Sequence, residues 1–537
     1  MTAPNRSTLW GRVIIDELAA GGLAAACVAP GSRSTPLAVA LDAHPDVEVF
    51  SHLDERSAAF FALGRGKRTG EPTALVSTSG TAAAEFHPAV VEAHQSRVPL
   101  VVLTADRPAE LHDAGANQTI DQEDLYGDAV RWHRTLPEPA PEPRRLRSLR
   151  VAVARALAAS RPPNPGPVHC NVPLPKPLEP TPVEDDLPAD LERTAPAAAT
   201  GRVGPFVEVE SGRPRLDERQ VETLRRGVEN AARGLLVTGP AVGAALSSDA
   251  LARLADATGF PVLADPVSGH RFGPHVDGRP VCGGYDSYLD VVDWPDPDVV
   301  LRFGASPTSK VLRHYLRDAE TRQVVVDPAG EWPEAEFTAT DLVYADPTAA
   351  AGALADNLES GTDGGPGEDD PDEHDTDEAD SLADWRARFE TAEREYWSLV
   401  DEVAGDRFFE GGIVASVVAA TPDPATLIVS NSMPVRDLDR FARPRPAAIT
   451  ALGNRGASGI DGVTSTALGA GSATADPLVL VTGDLAYYHD MNGLLALGRC
   501  GVDATIVLVN NDGGGIFHML PIEEHDPPFT EQFRTPH

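Results

Sequence analysis

Cysteine and lysine are both scarce in this chain of 537 residues. The four cysteines, Cys27, Cys170, Cys282 and Cys500, form no CxxC pair, which argues against a disulfide framework or a zinc cluster. The histidines show no HxxxH or HExxH spacing, so the helical zinc motifs are excluded. No apolar run is long enough to cross a bilayer, and the first residues lack the apolar core of a signal peptide. We therefore expect a soluble, cytoplasmic protein.

Basic residues are also much fewer than acidic residues. The chain has 81 acidic and 45 basic residues and a formal net charge of -36, so nucleic acids and anionic membranes are unfavourable partners. Lysine occurs only at Lys67, Lys176 and Lys310. This composition is similar to that of proteins from the salt-rich cytoplasm of haloarchaea, where a Debye length of roughly 3 Å at 1 M salt screens carboxylate repulsion. A high-GC genome and an acidic linker would give a similar composition, but the pattern favours a halophilic protein.

The length of the chain exceeds what one hydrophobic core supports and predicts about three domains. Apolar runs alternate with segments of helical periodicity, which is typical of βαβ units around a parallel sheet. Helices are predicted at 10–20 and 54–64. Strands are predicted at 24–28, 47–50, 74–78, 100–104, 234–238, 299–303, 323–326, 478–482 and 505–509. The fold class is therefore α/β, with three doubly wound parallel-sheet domains.

Composition indicates the domain boundaries. We expect a first domain at 1–185, a central domain at 205–355 and a third domain at 384–537. The acidic, glycine-rich segment at 356–383 buries too little apolar surface to order itself and is expected to be a flexible linker. The turn at 239–243 resembles part of a dinucleotide fingerprint but lacks a convincing third glycine, so we expect a Rossmann-like central domain without a cofactor. The chain stops about one loop after its last predicted strand, and we expect the third domain to be C-terminally truncated.

Polar turns follow the two strands predicted in the third domain, which we expect to be buried and parallel because their sequences are continuously apolar. Gly483-Asp484-Leu485 comes directly after the first strand, and Asn511 and Gly513 follow the second. Because ligands collect beyond the carboxyl ends of neighbouring parallel strands, and Mg2+ prefers oxygen ligands, these residues are candidates for a magnesium site that shares phosphate oxygens. The spacing resembles the GDG…NN signature of thiamine diphosphate (ThDP) enzymes of the pyruvate-decarboxylase-like superfamily. The alternative is a pair of ordinary strand-end turns.

A ThDP enzyme also needs a carboxylate beside the aminopyrimidine ring of its cofactor. Glu55 is the candidate, because it stands at the start of a predicted helix just after a predicted strand. A glutamate at a helix N-terminus otherwise serves the helix dipole. The assignment of Glu55 therefore depends on the rest of the pattern.

Longer blocks of the sequence resemble one family of ThDP enzymes. The blocks are PGSRSTPL at 30–37, DERSAAFFALG at 54–64, TSGTA at 78–82, TADRPAELHDAGANQTIDQ at 104–122, SNSMPVRDLD at 430–439 and GNRGASGIDG at 453–462. They are similar to those of the MenD family, the 2-succinyl-5-enolpyruvyl-6-hydroxy-3-cyclohexene-1-carboxylate (SEPHCHC) synthases of menaquinone biosynthesis. Leu485 in place of the last glycine of GDG is expected in that family.

The resemblance implies a transferase that depends on ThDP and on Mg2+, with Mn2+ as a substitute metal. Such an enzyme decarboxylates 2-oxoglutarate and adds the resulting succinyl carbanion to isochorismate. The resemblance also implies a homodimer or homotetramer with sites at the subunit interface, where Glu55 and Asp484 act together. Two alternatives stay open: another ThDP-dependent 2-oxoacid decarboxylase or carboligase, and a non-catalytic relative that serves as a binding or scaffold subunit.

Arginines stand in the family-specific loops of this acidic chain, and the planar guanidinium suits the carboxylates of both substrates. By resemblance, the isochorismate side comprises Ser32, Arg33, Arg107 and Lys310, the 2-oxoglutarate side comprises Ser432, Arg436 and Arg455, and Asn117 and Gln118 bridge polar groups. The resemblance gives as cofactor contacts Glu55, Ser79, Gly80, Ile460, Gly483, Asp484, Leu485, Asn511, Gly513, Ile516 and Phe517, with Leu520 in the same apolar wall. The family often has Lys-Arg where this chain has Lys310-Val311, and Arg313 is a candidate substitute.

Overall fold

Parallel strands build the three sheets of the computed structural model, which describes residues 3–241, 243, 245–361 and 381–537. Helices connect the strands along the chain, as the alternating sequence pattern predicts. The predicted α/β class with doubly wound parallel sheets is therefore confirmed.

The first sheet contains six strands. The strands are β1 (Ala25–Ala29), β2 (Glu48–Ser51), β3 (Thr73–Ser77), β4 (Leu100–Asp106), β5 (Trp132–Thr135) and β6 (Pro167–Pro173). The helices are α1 (Arg6–Ala20), α2 (Thr35–Asp42), α3 (Glu55–Thr69), α4 (Thr81–Ala84), α5 (His87–Gln95), α6 (Pro143–Ala159), α7 (Leu191–Thr194) and α8 (Pro196–Ala199). The strand order is β2-β1-β3-β4-β6-β5. Strands β1, β3, β4 and β6 are buried along their whole length, which explains their continuous apolar sequence.

The second sheet also has six strands, in the middle of the chain. The strands are β7 (Gly234–Thr238), β8 (Val262–Ala264), β9 (Val281–Cys282), β10 (Val299–Phe303), β11 (Arg322–Asp327) and β12 (Asp341–Tyr344), and the helices are α9 (Glu218–Glu229), α10 (Ser248–Thr258), α11 (Tyr285–Val291), α12 (Lys310–Asp318), α13 (Pro347–Gly361) and α14 (Leu382–Asp406). The order is β12-β11-β10-β7-β8-β9. Alternate residues of β7 enter two different cores, because Leu236 packs with Phe260 whereas Leu235 packs with Trp385 and Phe389. Both faces of this sheet are thus covered by helices.

The predicted linker falls between α13 and α14. Helix α13 continues to Gly361 and α14 begins at Leu382, so both ends of the segment 356–383 are helical. Residues 362–380 lie outside the described residues, as does Val242 in the predicted fingerprint turn.

The third sheet has four strands. The strands are β13 (Ala425–Val429), β14 (Ile449–Leu452), β15 (Leu478–Gly483) and β16 (Thr505–Val509), and the helices are α15 (Glu410–Ala420), α16 (Met433–Phe441), α17 (Val463–Gly471), α18 (Asp484–His489) and α19 (Leu495–Arg499). The order is β14-β13-β15-β16. The bounds predicted for the last strand are confirmed, but its predicted burial is wrong, since Thr505 is exposed and Leu508 is 43% exposed. The reason is that β16 is an edge strand of this sheet.

Tertiary packing divides the chain into two compact units. Unit 1 comprises Met1–Ser211, Asn454–Leu480 and Leu485–Ile506, and unit 2 comprises Gly212–Gly453, Val481–Asp484 and Val507–His537. Short turns of 3-10 helix lie at Ser32–Ser34, Ala109–Leu111, Gly127–Ala129, Pro274–Val276, Met491–Leu494, Gly515–Met519 and Pro521–Glu524, and a π-helical turn lies at Phe529–Arg534. Among the residues described, no helix combines the length and apolar character that crossing a bilayer requires.

Within unit 1, helix α3 packs closely against α17. A Cβ atom at Gly64 would lie 1.9 Å from the carbonyl oxygen of Thr466, and one at Gly469 would lie 1.9 Å from that of Phe61. Any side chain at these glycines would therefore force the two helices apart. This contact fixes the helix that carries Glu55 against the helix that follows the GNRGASGIDG loop.

A buried carboxyl group beside α17 gives the folded protein a pH-dependent stability. Asp490 Oδ2 accepts the Ser465 N–H at 2.7 Å, and burial raises the pKa of Asp490 from 3.8 to about 6. Between these two values the unfolded chain has lost this proton and the folded protein keeps it, so the free energy of unfolding falls by about 3 kcal/mol as the pH rises. We expect Asp490→Asn to flatten this part of the curve of unfolding free energy against pH, measured with denaturant in molar KCl. A variant curve parallel to that of the wild type would contradict this assignment.

Candidate active site

Glu55 lines a cavity in unit 1. It is the first residue of α3 and is half-buried. The side chain of Asp54 caps the helix by accepting the Ser57 N–H at 3.1 Å, so α3 does not depend on the Glu55 carboxylate for its N-cap. The cavity has a volume of about 620 Å³ and is also lined by Thr78, Thr81, Glu85, Gln118 and Asn492. The Glu55 carboxylate is therefore placed where a ligand can meet it.

The Ser79-Gly80 turn and the loop that contains Gln118 hold each other in place. The Ser79 hydroxyl donates to the Gln118 carbonyl at 3.1 Å, and the Gln118 side-chain amide donates to the Ser79 carbonyl at 3.0 Å. The Gly80 N–H donates to Oε1 of Gln122 at 2.9 Å, and the φ of Gly80 is 85°, in the region that favours glycine. Ser79, Gly80 and Gln118, which were predicted from two separate motifs, are thus neighbours. Asn117 is exposed beside them.

Two arginine side chains lie near each other at the same end of the first sheet. Arg107 donates to the Gln118 carbonyl at 2.6 Å and to the Ser79 hydroxyl. Arg33 is buried, donates to the Leu174 carbonyl at 2.5 Å, and has no hydrogen-bond partner for its Nε among the described residues. Burial and then the charge of Arg107 lower the pKa of the Arg33 guanidinium, whereas the nearby Asp106 raises it. An anion bound here would offset the repulsion between the two guanidiniums. It could also accept a hydrogen bond from Arg33 Nε.

Asp484 and Asn511 lie in unit 2 at the ends of the adjacent strands β15 and β16. Asp484 Oδ2 accepts the Gly513 N–H at 2.9 Å, and the Asn511 side-chain amide donates to Oε1 of Glu410 at 3.1 Å. This bond to Glu410 sets the direction of the Asn511 side chain, whose Oδ1 is buried with no hydrogen-bond partner among the described residues. Gly513 has a φ of 122°, and a Cβ there would lie 1.8 Å from the Arg534 carbonyl oxygen, so only glycine fits.

This donor set suits a hard divalent cation. It offers a carboxylate, the Asn511 amide oxygen, which has no hydrogen-bond partner in the described part of the chain, and the backbone carbonyl of Gly513, whose oxygen already accepts one N–H from Gly515 at 2.9 Å. Mg2+ is commonly bound by one or two carboxylates together with substrate or cofactor phosphates. Within the described ranges, no three His, Cys, Asp or Glu side chains converge as an all-protein metal centre. The residues present therefore fit Mg2+ bound together with a diphosphate.

A second cavity, of about 770 Å³, lies wholly within unit 2. Its walls contain four of the residues that the family resemblance gives, namely Lys310, Arg436, Ile516 and Leu520. Lys310 is the first residue of α12, which Ser309 caps by accepting the Leu312 N–H at 2.9 Å. Arg436 lies one turn into α16 and donates to the Ser432 carbonyl at 2.6 Å. The cavity thus combines cationic side chains and an apolar wall with six aspartates, so its lining is of mixed charge. The aspartates are Asp286, Asp290, Asp293, Asp296, Asp318 and Asp439.

The residues around Lys310 explain the departure from the Lys-Arg pair. Val311 packs against the apolar core of the central sheet around Trp385. Arg313, one turn after Lys310, lines the 770 Å³ cavity and forms an ion pair with Glu336 at 3.0 Å. Arg313 is therefore a further cation of this lining, and Glu336 is its counter-ion.

The sequence motifs did not indicate the buried charges that hold α16. Arg271 has no exposed surface in its side chain and forms an ion pair with Asp439 at 2.8 Å. It also donates to the Ala442 carbonyl at 3.1 Å, and Arg440 pairs with Asp286 at 2.6 Å. The local signal is the run RDLDR at 436–440, in which charges fall on every face of α16. A helix with charges on all sides must bury some of them if it packs into the protein.

The remaining predicted residues are distributed over both units. Arg455 and Ile460 are half-buried in the loop that precedes α17 in unit 1, and Ser32 is exposed next to Arg33. In unit 2, Ser432 has a φ of 68° and precedes α16, and the Phe517 ring contacts Phe533 with centroids 5.3 Å apart. Gly483 and Leu485, on either side of Asp484, are both half-buried.

The sequence is similar to one enzyme family and to several named relatives. Residues 10–125 match the family described as thiamine pyrophosphate enzyme, N-terminal TPP binding domain. The SEPHCHC synthase of Haloarcula marismortui is 63% identical over 546 residues, covering 100% of this chain and 89% of the relative. The SEPHCHC synthase of Halobacterium salinarum is 61% identical with the same coverage, and that of Roseiflexus castenholzii is 47% identical, covering 99% of this chain and 89% of the relative. The chain therefore belongs to the family of 2-succinyl-5-enolpyruvyl-6-hydroxy-3-cyclohexene-1-carboxylate synthases, which are ThDP-dependent transferases.

Proposed function

We propose that this protein decarboxylates 2-oxoglutarate and adds the resulting four-carbon succinyl unit to isochorismate in conjugate fashion, giving SEPHCHC for menaquinone biosynthesis. The observation that carries the proposal is the pair of guanidiniums, Arg33 and Arg107, beside the loop of Gln118, where Arg33 Nε has no hydrogen-bond partner within the described residues. Both substrates are dicarboxylates, and a paired cationic site in a chain with net charge -36 concentrates positive potential where an anion must enter.

The cofactor residues follow from the same proposal. When bound, ThDP supplies the nucleophilic carbon and the electron sink for decarboxylation and carbon–carbon bond formation. Glu55 holds the proton at the N1′ nitrogen of the aminopyrimidine ring. The other cofactor contacts are Ser79, Gly80, Ile460, Gly483, Leu485, Ile516 and Phe517. Asp484, the Asn511 side chain and the Gly513 carbonyl hold Mg2+, and Mn2+ can replace it because it accepts the same oxygen ligands.

The two substrates divide the polar residues between them. Arg33, Arg107 and Lys310 bind isochorismate with Ser32 beside them, whereas Ser432, Arg436 and Arg455 bind 2-oxoglutarate. Asn117 and Gln118 bridge polar groups of the reactants. The placement of Arg33 and Arg107 beside the loop of Gln118 supports their assignment to one substrate.

We also propose an oligomeric state and a cellular environment for the enzyme. The working enzyme is a homodimer or homotetramer with sites at the subunit interface, where Glu55 of one subunit serves the diphosphate site of another. The three sheets correspond to a pyrimidine-binding domain, a central Rossmann-like domain and a diphosphate-binding domain. The protein acts in a salt-rich cytoplasm, where its carboxylates are screened.

The test is turnover of 2-oxoglutarate with isochorismate, ThDP and Mg2+ in high-salt buffer, following isochorismate loss and product mass. A product that contains the succinyl unit and requires both substrates is the expected result. Release of CO2 from 2-oxoglutarate with isochorismate untouched would replace the proposal with a 2-oxoacid decarboxylase. Failure to bind ThDP and Mg2+ would instead favour a non-catalytic subunit.

Arg33→Ala and Arg436→Ala should each weaken a different half-reaction. Each substitution removes a charged hydrogen-bond donor, which is worth about 10- to 100-fold in kcat/KM. We expect Arg33→Ala to weaken the use of isochorismate and to spare CO2 release from 2-oxoglutarate, whereas Arg436→Ala should weaken CO2 release. Arg226→Ala, on the exposed face of α9, is the control. Equal losses in both half-reactions for both variants would contradict the division of substrates.

A further inference from the structure

A buried glutamate outside the proposed site binds the backbone of the GNRGASGIDG loop. Glu92 lies in α5 and is 3% exposed. Its Oε1 accepts the Gly456 N–H at 3.0 Å and its Oε2 accepts the Ala457 N–H at 2.6 Å. The ammonium group of Lys67 lies 3.1 Å from Oε1, with both side chains almost fully buried. Each carboxylate oxygen therefore meets one amide of the loop, and the negative charge has a counter-ion.

The loop is also anchored just before Arg455. The side-chain amide of Asn454 donates to the Thr466 hydroxyl of α17 at 3.0 Å, and both groups are buried. Arg455 thus lies between an anchored side chain and an anchored backbone amide. Gly456 adds a steric constraint, because a Cβ there would lie 2.8 Å from both the Glu92 carbonyl oxygen and the Ser96 nitrogen. The backbone on both sides of Arg455 is consequently held in one position.

We propose that Glu92 is a positioning residue that holds the 454–458 loop so that Arg455 meets the carboxylate of its substrate. Hydrogen bonds to an ionised acceptor are roughly twice as strong as neutral ones, so the two amides hold the loop firmly only while Glu92 carries its charge. Lys67 stabilises that charge in a buried place, and its compact ammonium suits a tight site. The inference rests on the proposed function through the role given to Arg455.

The main test is Glu92→Gln, which keeps the size of the side chain but removes its charge and one of its acceptors. We expect the KM for 2-oxoglutarate to rise roughly 10- to 100-fold, since small misplacement of a binding group costs this much, while the KM for isochorismate stays unchanged. The amides of Gly456 and Ala457 should also exchange with solvent faster, which can be measured by mass spectrometry without any turnover.

Glu17→Gln is the matched control for loss of a buried charge. Glu17 is also buried in unit 1, forms an ion pair with Arg150 at 3.1 Å and accepts the backbone N–H of Phe206 at 2.5 Å. Both variants should unfold at lower temperature, but only Glu92→Gln should change the KM for 2-oxoglutarate. Equal KM values in the two variants would show that Glu92 is merely structural and would overturn the proposal.

Gly456→Ala keeps the proposal testable if Glu92→Gln does not fold. The added methyl group displaces the loop from α5 while Glu92 and Lys67 keep their charges, so the same rise in the KM for 2-oxoglutarate is expected. An unchanged KM in Gly456→Ala would overturn the proposal. Wild-type turnover is measured first: its absence rejects the proposed function, whereas normal wild-type turnover with unaffected variants rejects only the positioning role of Glu92.

Discussion

Glu55→Gln is expected to bind ThDP and Mg2+ normally and to lose about 10²- to 10⁴-fold in kcat, the usual contribution of a positioned proton-transfer group. The glutamine has the same shape but cannot hold a proton at N1′ as a carboxylate does. Helix α3 should stay folded, because Asp54 provides its N-cap and Gly64 packs it against α17. Turnover with both substrates and ThDP affinity by calorimetry are the two measurements.

The control for Glu55→Gln is Glu85→Gln, an exposed carboxylate that lines the same 620 Å³ cavity. It should retain turnover, because the proposed chemistry requires one carboxylate at the pyrimidine ring. If Glu55→Gln turns over like the wild type, Glu55 has no catalytic role. If it fails to bind ThDP, Glu55 contributes to binding instead of proton transfer.

Asp484→Asn should lower the affinity for Mg2+ by at least about 100-fold, since loss of even an outer-shell partner of a metal ligand costs 10- to 100-fold. The asparagine has the shape of the aspartate and can still accept the Gly513 N–H, so the turn should persist. The affinity for ThDP should then depend on a much higher Mg2+ concentration. Titration of ThDP at a series of Mg2+ concentrations, starting from protein treated with EDTA, measures both effects.

Asp512→Asn is the matched control for Asp484→Asn, because Asp512 is exposed and lies next to the proposed metal-binding residues Asn511 and Gly513. Its ThDP affinity should depend on Mg2+ as in the wild type.

Mixing the inactive Glu55→Gln and Asp484→Asn subunits then tests the shared site. If subunits exchange freely, about a quarter of wild-type activity should return, since half of the dimers are mixed and each has one intact site. No recovery after verified exchange would contradict a site built from two subunits.

The parts of the fold that the sequence predicted are those with a local pattern. The bounds of β7, β10 and β16 agree with the predicted strands, because a short apolar run between polar turns is typical of a strand. The burial of β16 was mispredicted, since a run of Ile, Val and Leu does not reveal which strand lies at a sheet edge. The neighbours Ser79 and Gln118 came from motif resemblance, not from spacing.

Contacts between distant parts of the chain were beyond sequence reasoning. Glu92 binds amides that lie 364 and 365 positions away, and Glu410 reaches Asn511 across 101 positions. Neither glutamate stands in a distinctive pattern, because each lies in a helix where an acidic residue is ordinarily exposed. Arg271 and Asp439 are similar, since only folding brings them together and removes water from both.

The scarcity of lysine makes the protein a selective target for covalent labelling. Of the three lysines, all of which lie among the described residues, Lys67 is buried against Glu92, whereas Lys176 and Lys310 are exposed. Lys310 stands on the wall of the 770 Å³ cavity, so its modification can be compared directly with that of Lys176. Protection of Lys310 by a bound dicarboxylate, with Lys176 as an internal standard, would report ligand occupancy on the native protein without any mutation.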